Sequence, residues 1–203
     1  PSGSDDFTSY AAAYKAAGIN ILAGTNIPPD FLKLYKACIN AGVQVDCVTM
    51  GKCCLLSGDV AVLEGDTAGL AQGIMTEVWW TPDFPYSSGI TGISSADLGA
   101  AYTADTGRTM PQPAGYAYAA LELAIDVFTR AGTTDKEAVR DALAATDLAT
   151  IVGPIKYDKE LMGLKYGEVV ICGGQWQLQE DGTEKLVIID NTVYANENIP
   201  IQG

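Results

Sequence analysis

The sequence predicts an α/β fold in which a Rossmann-like parallel sheet is flanked by helices. Three observations lead there. Short apolar runs recur at Ile19–Ala23, Val45–Met50 and Gly73–Trp80, each of strand length. Between the runs lie helical stretches, and this alternation argues for βαβ units. The passage from run to stretch goes through glycine, at Gly24-Thr25-Asn26 and again at Gly51-Lys52-Cys53-Cys54.

In chain order, Ser4, Asp5 or Asp6 can cap a first helix whose stripe is Phe7, Tyr10, Ala11, Tyr14 and Ala17, ending at Gly18, the usual residue just past a helix end. Ile19–Ala23 carries no charge, which suits a strand buried on both faces of a parallel sheet. Asp30 is placed to cap a helix carrying Phe31, Leu34, Tyr35, Cys38 and Ile39 on one stripe, ending at Gly42. Leu55–Leu63 reads as helical, and Pro82–Gly92 as a crossover rich in Pro and Gly.

The texture then changes. Helices are expected from Ser95 to Thr106, from Pro113 onward, and from Asp135 to Thr146. In the second, Ala117, Ala120, Leu121, Ala124, Ile125 and Phe128 follow the i, i+3, i+4 rule, with Leu123 and Val127 adding apolar weight elsewhere. Three helices with no strand among them need a sheet that this stretch does not supply. Short strands are expected at Ile155–Tyr157, Glu168–Cys172, Gln175–Leu178 and Lys185–Ile189, with a hairpin turn at the Asp181-Gly182 signal.

Composition narrows the function. Of 203 residues 48% are hydrophobic, ample for a packed core, while 12 Lys and Arg stand against 25 Asp and Glu for a formal charge of -13. A field of that sign repels nucleic acid and anionic headgroups. No uncharged apolar run of about 18 residues is present, so no membrane span is expected. There is no histidine, and the five cysteines lack metal-ligand spacing, so neither metal nor cofactor is expected. Cys38, Cys47 and Cys172 read as small core hydrophobes. Cys53-Cys54 leaves two forms open, a strained vicinal disulfide or two reduced thiols.

Several phrases, in this order and spacing, carry a resemblance: Asp6–Gly18 ahead of the first strand, the Gly24-Thr25-Asn26 loop, Ile151-Val-Gly-Pro-Ile-Lys-Tyr-Asp158, and Gly174-Gln-Trp-Gln177. Together they resemble the type I periplasmic solute-binding proteins of ABC importers, the group that includes the leucine/isoleucine/valine-binding proteins. Members have two lobes, and this chain resembles their carboxyl-terminal half. The resemblance implies that residues 1–82 form an α/β segment of the second lobe, 83–158 a helical segment of the first, and 159–203 a return to the second with short strands and a hairpin. The three helices would then lie on a sheet from the amino-terminal half, making this chain a natural, proteolytic or cloned fragment whose partner is that half or a second copy.

In such proteins loops at the strand ends of both lobes face the ligand. Carried over, this gives Thr25 and Asn26 after the first strand, and Met50, Gly51, Lys52 and Cys53 after the second. Branched-chain binders hold the substrate ammonium with an acidic residue in the second of these loops; Gly-Lys-Cys here departs from that. Lys52 suits an anionic group, or is a solvated surface lysine. Asn26 orients a polar ligand end, or eases the backbone through the turn. Of Trp79 and Trp80 one can form an aromatic wall, or both close the core; Tyr116 is a further candidate for that wall.

The implied function is capture of a small organic solute, an amino acid or an aromatic or aliphatic carboxylate, outside the cytoplasm, periplasmic or extracellular and with a lipid anchor as an option, for an ABC permease. A ligand-sensing receptor domain shares the fold. A doubly wound enzyme is the remaining class, and against it stand the missing G-x-S-x-G elbow, P-loop, G-x-G-x-x-G fingerprint and histidine base.

Overall fold

Pro28 and Pro29 mark the first place where local chemistry decides an element. A helix needs no N–H from its first residues, so both prolines fit the opening of α2 (Pro28–Ala41), which Ile27 precedes in extended conformation. Asp30 is therefore not the cap expected of it. It lies in the first turn, buried, and its two carboxylate oxygens each accept the N–H of Gly3 at 3.1 Å.

The computed structural model describes residues 3–65, 69–192 and 199–202. The chain divides into two compact units, one of Pro1–Val78 with Gly173–Asp190 and Ile201–Gly203, the other of Trp79–Cys172 with Asn191–Pro200.

In the first unit, α1 (Thr8–Ala16) precedes β1 (Ile21–Thr25), then come α2, β2 (Cys47–Gly51), α3 (Ser57–Glu64) and β3 (Met75–Val78). The strands β8 (Cys172–Leu178) and β9 (Glu184–Asp190) complete a five-stranded sheet in the order β1-β2-β3-β8-β9. Pairing is parallel from β1 to β3, with Ile21 opposite Cys47, Thr25 opposite Gly51 and Thr49 opposite Met75. β8 and β9 are antiparallel about the turn expected at Asp181-Gly182, where Gln179 N–H donates to Thr183 O at 2.7 Å. Leu22, Phe31, Cys38, Val48, Leu63 and Trp176 meet in one core cluster; burying a side chain such as Phe31 contributes about 1.5–3 kcal/mol.

The expectation that the first strand is buried on both faces fails. In β1 only Leu22 is buried, and Ile21 is 57% exposed. Side chains alternate across a strand, and the open face continues through Ala23, Thr25 and Thr49. An uncharged run measures the apolarity of both faces; it does not say whether this chain supplies cover for both.

In the second unit, α4 (Ser95–Thr106), α5 (Gln112–Ala131) and α6 (Lys136–Ala144) follow one another as predicted. Ser94 caps α4, accepting from Asp97 N–H at 3.0 Å, and Asp135 caps α6 through the amides of Glu137 and Ala138. Arg130 fastens α5 to α6 by donating to the Ala142 carbonyl at 2.6 Å and the Thr146 hydroxyl at 3.0 Å. The stripe predicted for α5 is exposed, with Leu121 65%, Ile125 52% and Phe128 51% open, while Gly115, Ala119, Glu122 and Val127 face inward.

The strand expected at Ile155–Tyr157 is β5 (Gly153–Lys156), but its hairpin partner β4 (Asp147–Thr150) escaped the sequence reading, as did the hairpin of β6 (Lys159–Leu161) with β7 (Leu164–Tyr166). Met162 and Gly163 turn this last hairpin at φ 53° and 77°, the left-handed pair of a tight hairpin. Conversely, Glu168–Ile171 forms no strand, and pairing starts at Cys172.

Candidate functional site

The first unit collects six of the predicted residues at the carboxyl ends of its parallel strands, where open α/β sheets bind ligands. Thr25, exposed, ends β1 and pairs with Gly51, the last residue of β2. A Cβ on Gly51 would stand 2.7 Å from the Thr25 methyl and 3.4 Å from Glu77 Oε2. Thr25, Gly51 and Glu77 thus form a row across three strands, with glycine keeping its centre free of any side chain. Asn26, half-buried, brings its Oδ1 to the vicinity of Gly24, where Met50 Cε also lies.

The loop after β2 is held by β3. Thr76 Oγ1 lies 3.0 Å from the Met50 carbonyl and 2.9 Å from that of Cys53, and Lys52 N–H donates to Glu77 Oε1 at 3.0 Å. These bonds hold two non-glycine residues in left-handed backbone, Lys52 at φ 64° and Cys54 at φ 54°. The Lys52 side chain is exposed, whereas Met50 and Cys53 are buried, so those two offer main chain rather than side chain to a ligand.

All five cysteines are free thiols, which settles the two forms left open for Cys53 and Cys54. Burial pushes the Cys53 thiol up to about 11, against the bond its Sγ donates to the Asn26 carbonyl at 2.7 Å, with Asp59, Glu77 and Asp30 adding to the rise. Burial likewise takes Cys54 to about 12. Neither is a nucleophile at neutral pH, since the thiolate is the reactive form.

The second unit separates the two tryptophans. Trp80 is buried: its Nε1 donates toward the Ile151 carbonyl at 3.0 Å and Ser95 Oγ at 3.2 Å, and its indole lies over Gly115, where a Cβ would come within 2.3 Å. Trp79 is half-buried and meets Tyr116 edge to face, ring centroids 6.0 Å apart. Its N–H donates to Gln112 Oε1 at 2.6 Å. Trp79 and Tyr116 are thus brought together as an aromatic pair and Trp80 is taken into the core.

Glu77 is the residue of this row that sequence reading passed over. A signal existed, because a charge sits inside the apolar run Ile74-Met-Thr-Glu-Val-Trp-Trp80. Parallel pairing brings it beside Gly51, a neighbour 26 residues earlier that no local pattern announces.

A family model described as periplasmic binding protein matches residues 1–163. A search of curated proteins finds no significant match. Among solved structures, a leucine binding protein LivK from Thermotoga maritima is similar with a TM-score of 0.71 at 15% identity, over 94% of this chain and 50% of that one. A Streptococcus pneumoniae LivJ in complex with isoleucine gives 0.61 at 15% identity, over 92% and 49%. A solute binding protein from R. palustris in complex with benzoate gives 0.60 at 14%, over 92% and 47%. The chain spans about half the length of each. With a family model matching most of its residues and the fold shared with these structures, the chain belongs to the periplasmic binding protein family.

Proposed function

We propose that this chain is part of the extracytoplasmic solute-binding component of an ABC importer and takes a small organic solute, an amino acid or an aromatic or aliphatic carboxylate. The observation that carries this reading is the polar row at the strand ends, where Thr25, the bare backbone of Gly51 and the Lys52 loop lie together at the carboxyl edge of the sheet. Lys52 supplies positive charge on a flexible arm for a carboxylate, and Asn26 supplies both donors and an acceptor. The ligands of two similar proteins, isoleucine and benzoate, both carry a carboxylate. No bond-making step is assigned, and binding is non-covalent.

The same reading assigns a partner to the open apolar surfaces. Leu121, Ile125 and Phe128 make one contiguous stripe on α5, and Ile21 with Ala23 opens one face of the sheet. Apolar patches of this kind mark interfaces, and the half of the family architecture that this chain does not span is the occupant proposed for both. Residues 1–82 and 159–203 are assigned to one lobe and 83–158 to the other.

A thermal-shift screen of carboxylates, amino acids and sugars on the chain combined with an amino-terminal family segment tests the ligand class. Stabilisation by carboxylates that Lys52→Ala removes is the expected result; stabilisation by sugars alone, unaffected by Lys52→Ala, overturns it. Light scattering tests the partner: a well-folded monomer of the chain alone overturns that assignment, and self-association through α5 would identify a second copy as the occupant instead.

A further inference from the structure

The hairpin β6-β7 ends in a group of apolar side chains that the fold does not use. Leu161 and Leu164 face each other across the ribbon and Met162 leads the turn between them; the three are 65%, 72% and 93% exposed. Every residue of both strands is exposed, the mark of a ribbon that projects from the second unit. Two local rules are broken at Met162. Its backbone is left-handed at φ 53°, the position before glycine at which a tight turn prefers Asn, and a side chain open to water gains nothing from being apolar. Where a residue departs from what its local structure asks, a function accounts for it.

Behind the tip the chemistry changes within two residues. Lys159 and Tyr166 are the next pair on the face of Leu161 and Leu164, and Glu160 stands opposite Lys165 on the other face. Lys159 is ion-paired with Glu168, and Lys165 Nζ donates to the Ala144 carbonyl at 3.4 Å. From 156 to 168, Lys156, Lys159 and Lys165 balance Asp158, Glu160 and Glu168, so this stretch is neutral in a chain of formal charge -13. Polarity therefore runs along the ribbon, apolar at its end with Tyr and Lys about 7 Å behind at about 3.3 Å per residue. A bilayer surface has the same order, acyl chains giving way over about 5–10 Å to the headgroup level that Tyr and Lys favour. A protein groove reads one face of a strand or helix; a polarity that changes along the axis suits a medium that changes with depth. The neutral collar removes the repulsion that the rest of the chain would bring to a lipid surface.

We propose that the β6-β7 tip docks on membranes, inserting Leu161, Met162 and Leu164 into the surface of a zwitterionic phospholipid bilayer with Tyr166 and Lys159 at headgroup level. Three side chains give weak, reversible attachment, comparable with a single acyl chain at about 10⁴ M⁻¹. Attachment of that strength holds the second unit near a lipid surface and lets it leave again. The strand-end solute site lies in the first unit and plays no part in this inference, so either can fail alone.

The test is sedimentation of the chain with phosphatidylcholine vesicles. The wild type is expected to partition with a constant on the order of 10⁴ M⁻¹. Met162→Asn combined with Leu164→Ser is expected to lower it by about tenfold or more. The same variant should keep or raise the melting temperature in lipid-free buffer, since Asn suits the turn and no packing is lost. Ile125→Asp, on the exposed stripe of α5, is the control and should leave partitioning unchanged. Failure of the wild type to sediment with the vesicles overturns the proposal. So does partitioning that the hairpin variant retains or that Ile125→Asp abolishes, and so does a fall in the variant's melting temperature, which would show the tip packed within the unit. Self-association in lipid-free buffer that the hairpin variant abolishes would make a second copy the occupant, and loss of partitioning on adding an amino-terminal family segment would make that half the occupant; either result overturns the lipid assignment.

Discussion

Trp80 Nε1 donates to the carbonyl oxygen of Ile151 across 3.0 Å, joining residues 71 positions apart inside the second unit. Ser95 Oγ reaches the same carbonyl at 2.9 Å and Glu122 Oε2 accepts the Ile151 N–H at 3.2 Å, so the backbone of one residue is gripped on both sides by side chains from three segments. Trp80→Phe is expected to lower stability by about 1–3 kcal/mol, through the lost bond and the space left over Gly115. Trp79→Phe, one residue away but half-buried, is expected to stay within about 1 kcal/mol. Denaturant unfolding of the two variants checks the contrast; equal losses would contradict the separation of their roles.

Acidity reaches the first unit through a pair of glutamates. Glu64, at the end of α3, accepts the N–H groups of Gly69 and Ala71, the latter at 2.6 Å. Glu184 on β9 lies beside it with Oε1 buried and lacking a donor, and burial, then the Glu64 carboxylate, pushes Glu184 up to about 7 from its ordinary 4.5. A proton held by Glu184 satisfies both groups. Because the folded state binds that proton more tightly than the unfolded chain, the stabilisation is complete below about 4.5 and is lost as pH rises through about 7. The melting temperature should fall across that window, and Glu184→Gln should flatten this part of the profile. A wild-type curve that rises from the lower to the upper end, unchanged by the substitution, would refute it.

Cys53 and Cys54 should resist alkylation in the folded protein at mildly alkaline pH and react on denaturation, since both are fully buried and their thiols are raised to about 11 and about 12. Cys47, half-buried in β2, is expected to react first. Counting modified thiols by intact mass against time decides this; rapid modification at Cys53 would show that the loop opens readily.

Gly51→Ala should separate stability from binding. The added methyl meets the Thr25 methyl at 2.7 Å, a side chain that can turn about χ1, so the expected loss of stability is about 0.5–1.5 kcal/mol. Solute affinity should fall further, because the methyl occupies the position facing Glu77. Unfolding and titration of the same sample read both effects, and unchanged affinity would place the ligand elsewhere.

What could be read beforehand follows the range of the forces involved. Ser95–Thr106 was read to the residue because Ser94 and Gly107, at φ 70°, are local stop signals on either side. The Gly24 and Gly51 loops were legible for the same reason. Asp30 was misread because an N-cap preference was given more weight than two prolines that fit the first turn without it. Glu77 was missed because its place beside Gly51 comes from lateral pairing across the sheet. The hairpin at Met162-Gly163 was missed because β6 and β7 are three residues each, with every residue exposed, and so show no alternation.

Strand β1 ends the sheet, and on the side away from β2 the N–H and C=O groups from Ile21 to Thr25 meet no strand among the described residues. Such an edge is a template that any extended segment can join, since main-chain hydrogen bonds do not read sequence. Its five residues lack proline and charge, two of the common guards against that. Edge-to-edge polymerisation of the isolated chain is the expected consequence, and dilution opposes it. Yield on refolding should fall steeply with protein concentration, and a lysine introduced at Ala23 should recover it.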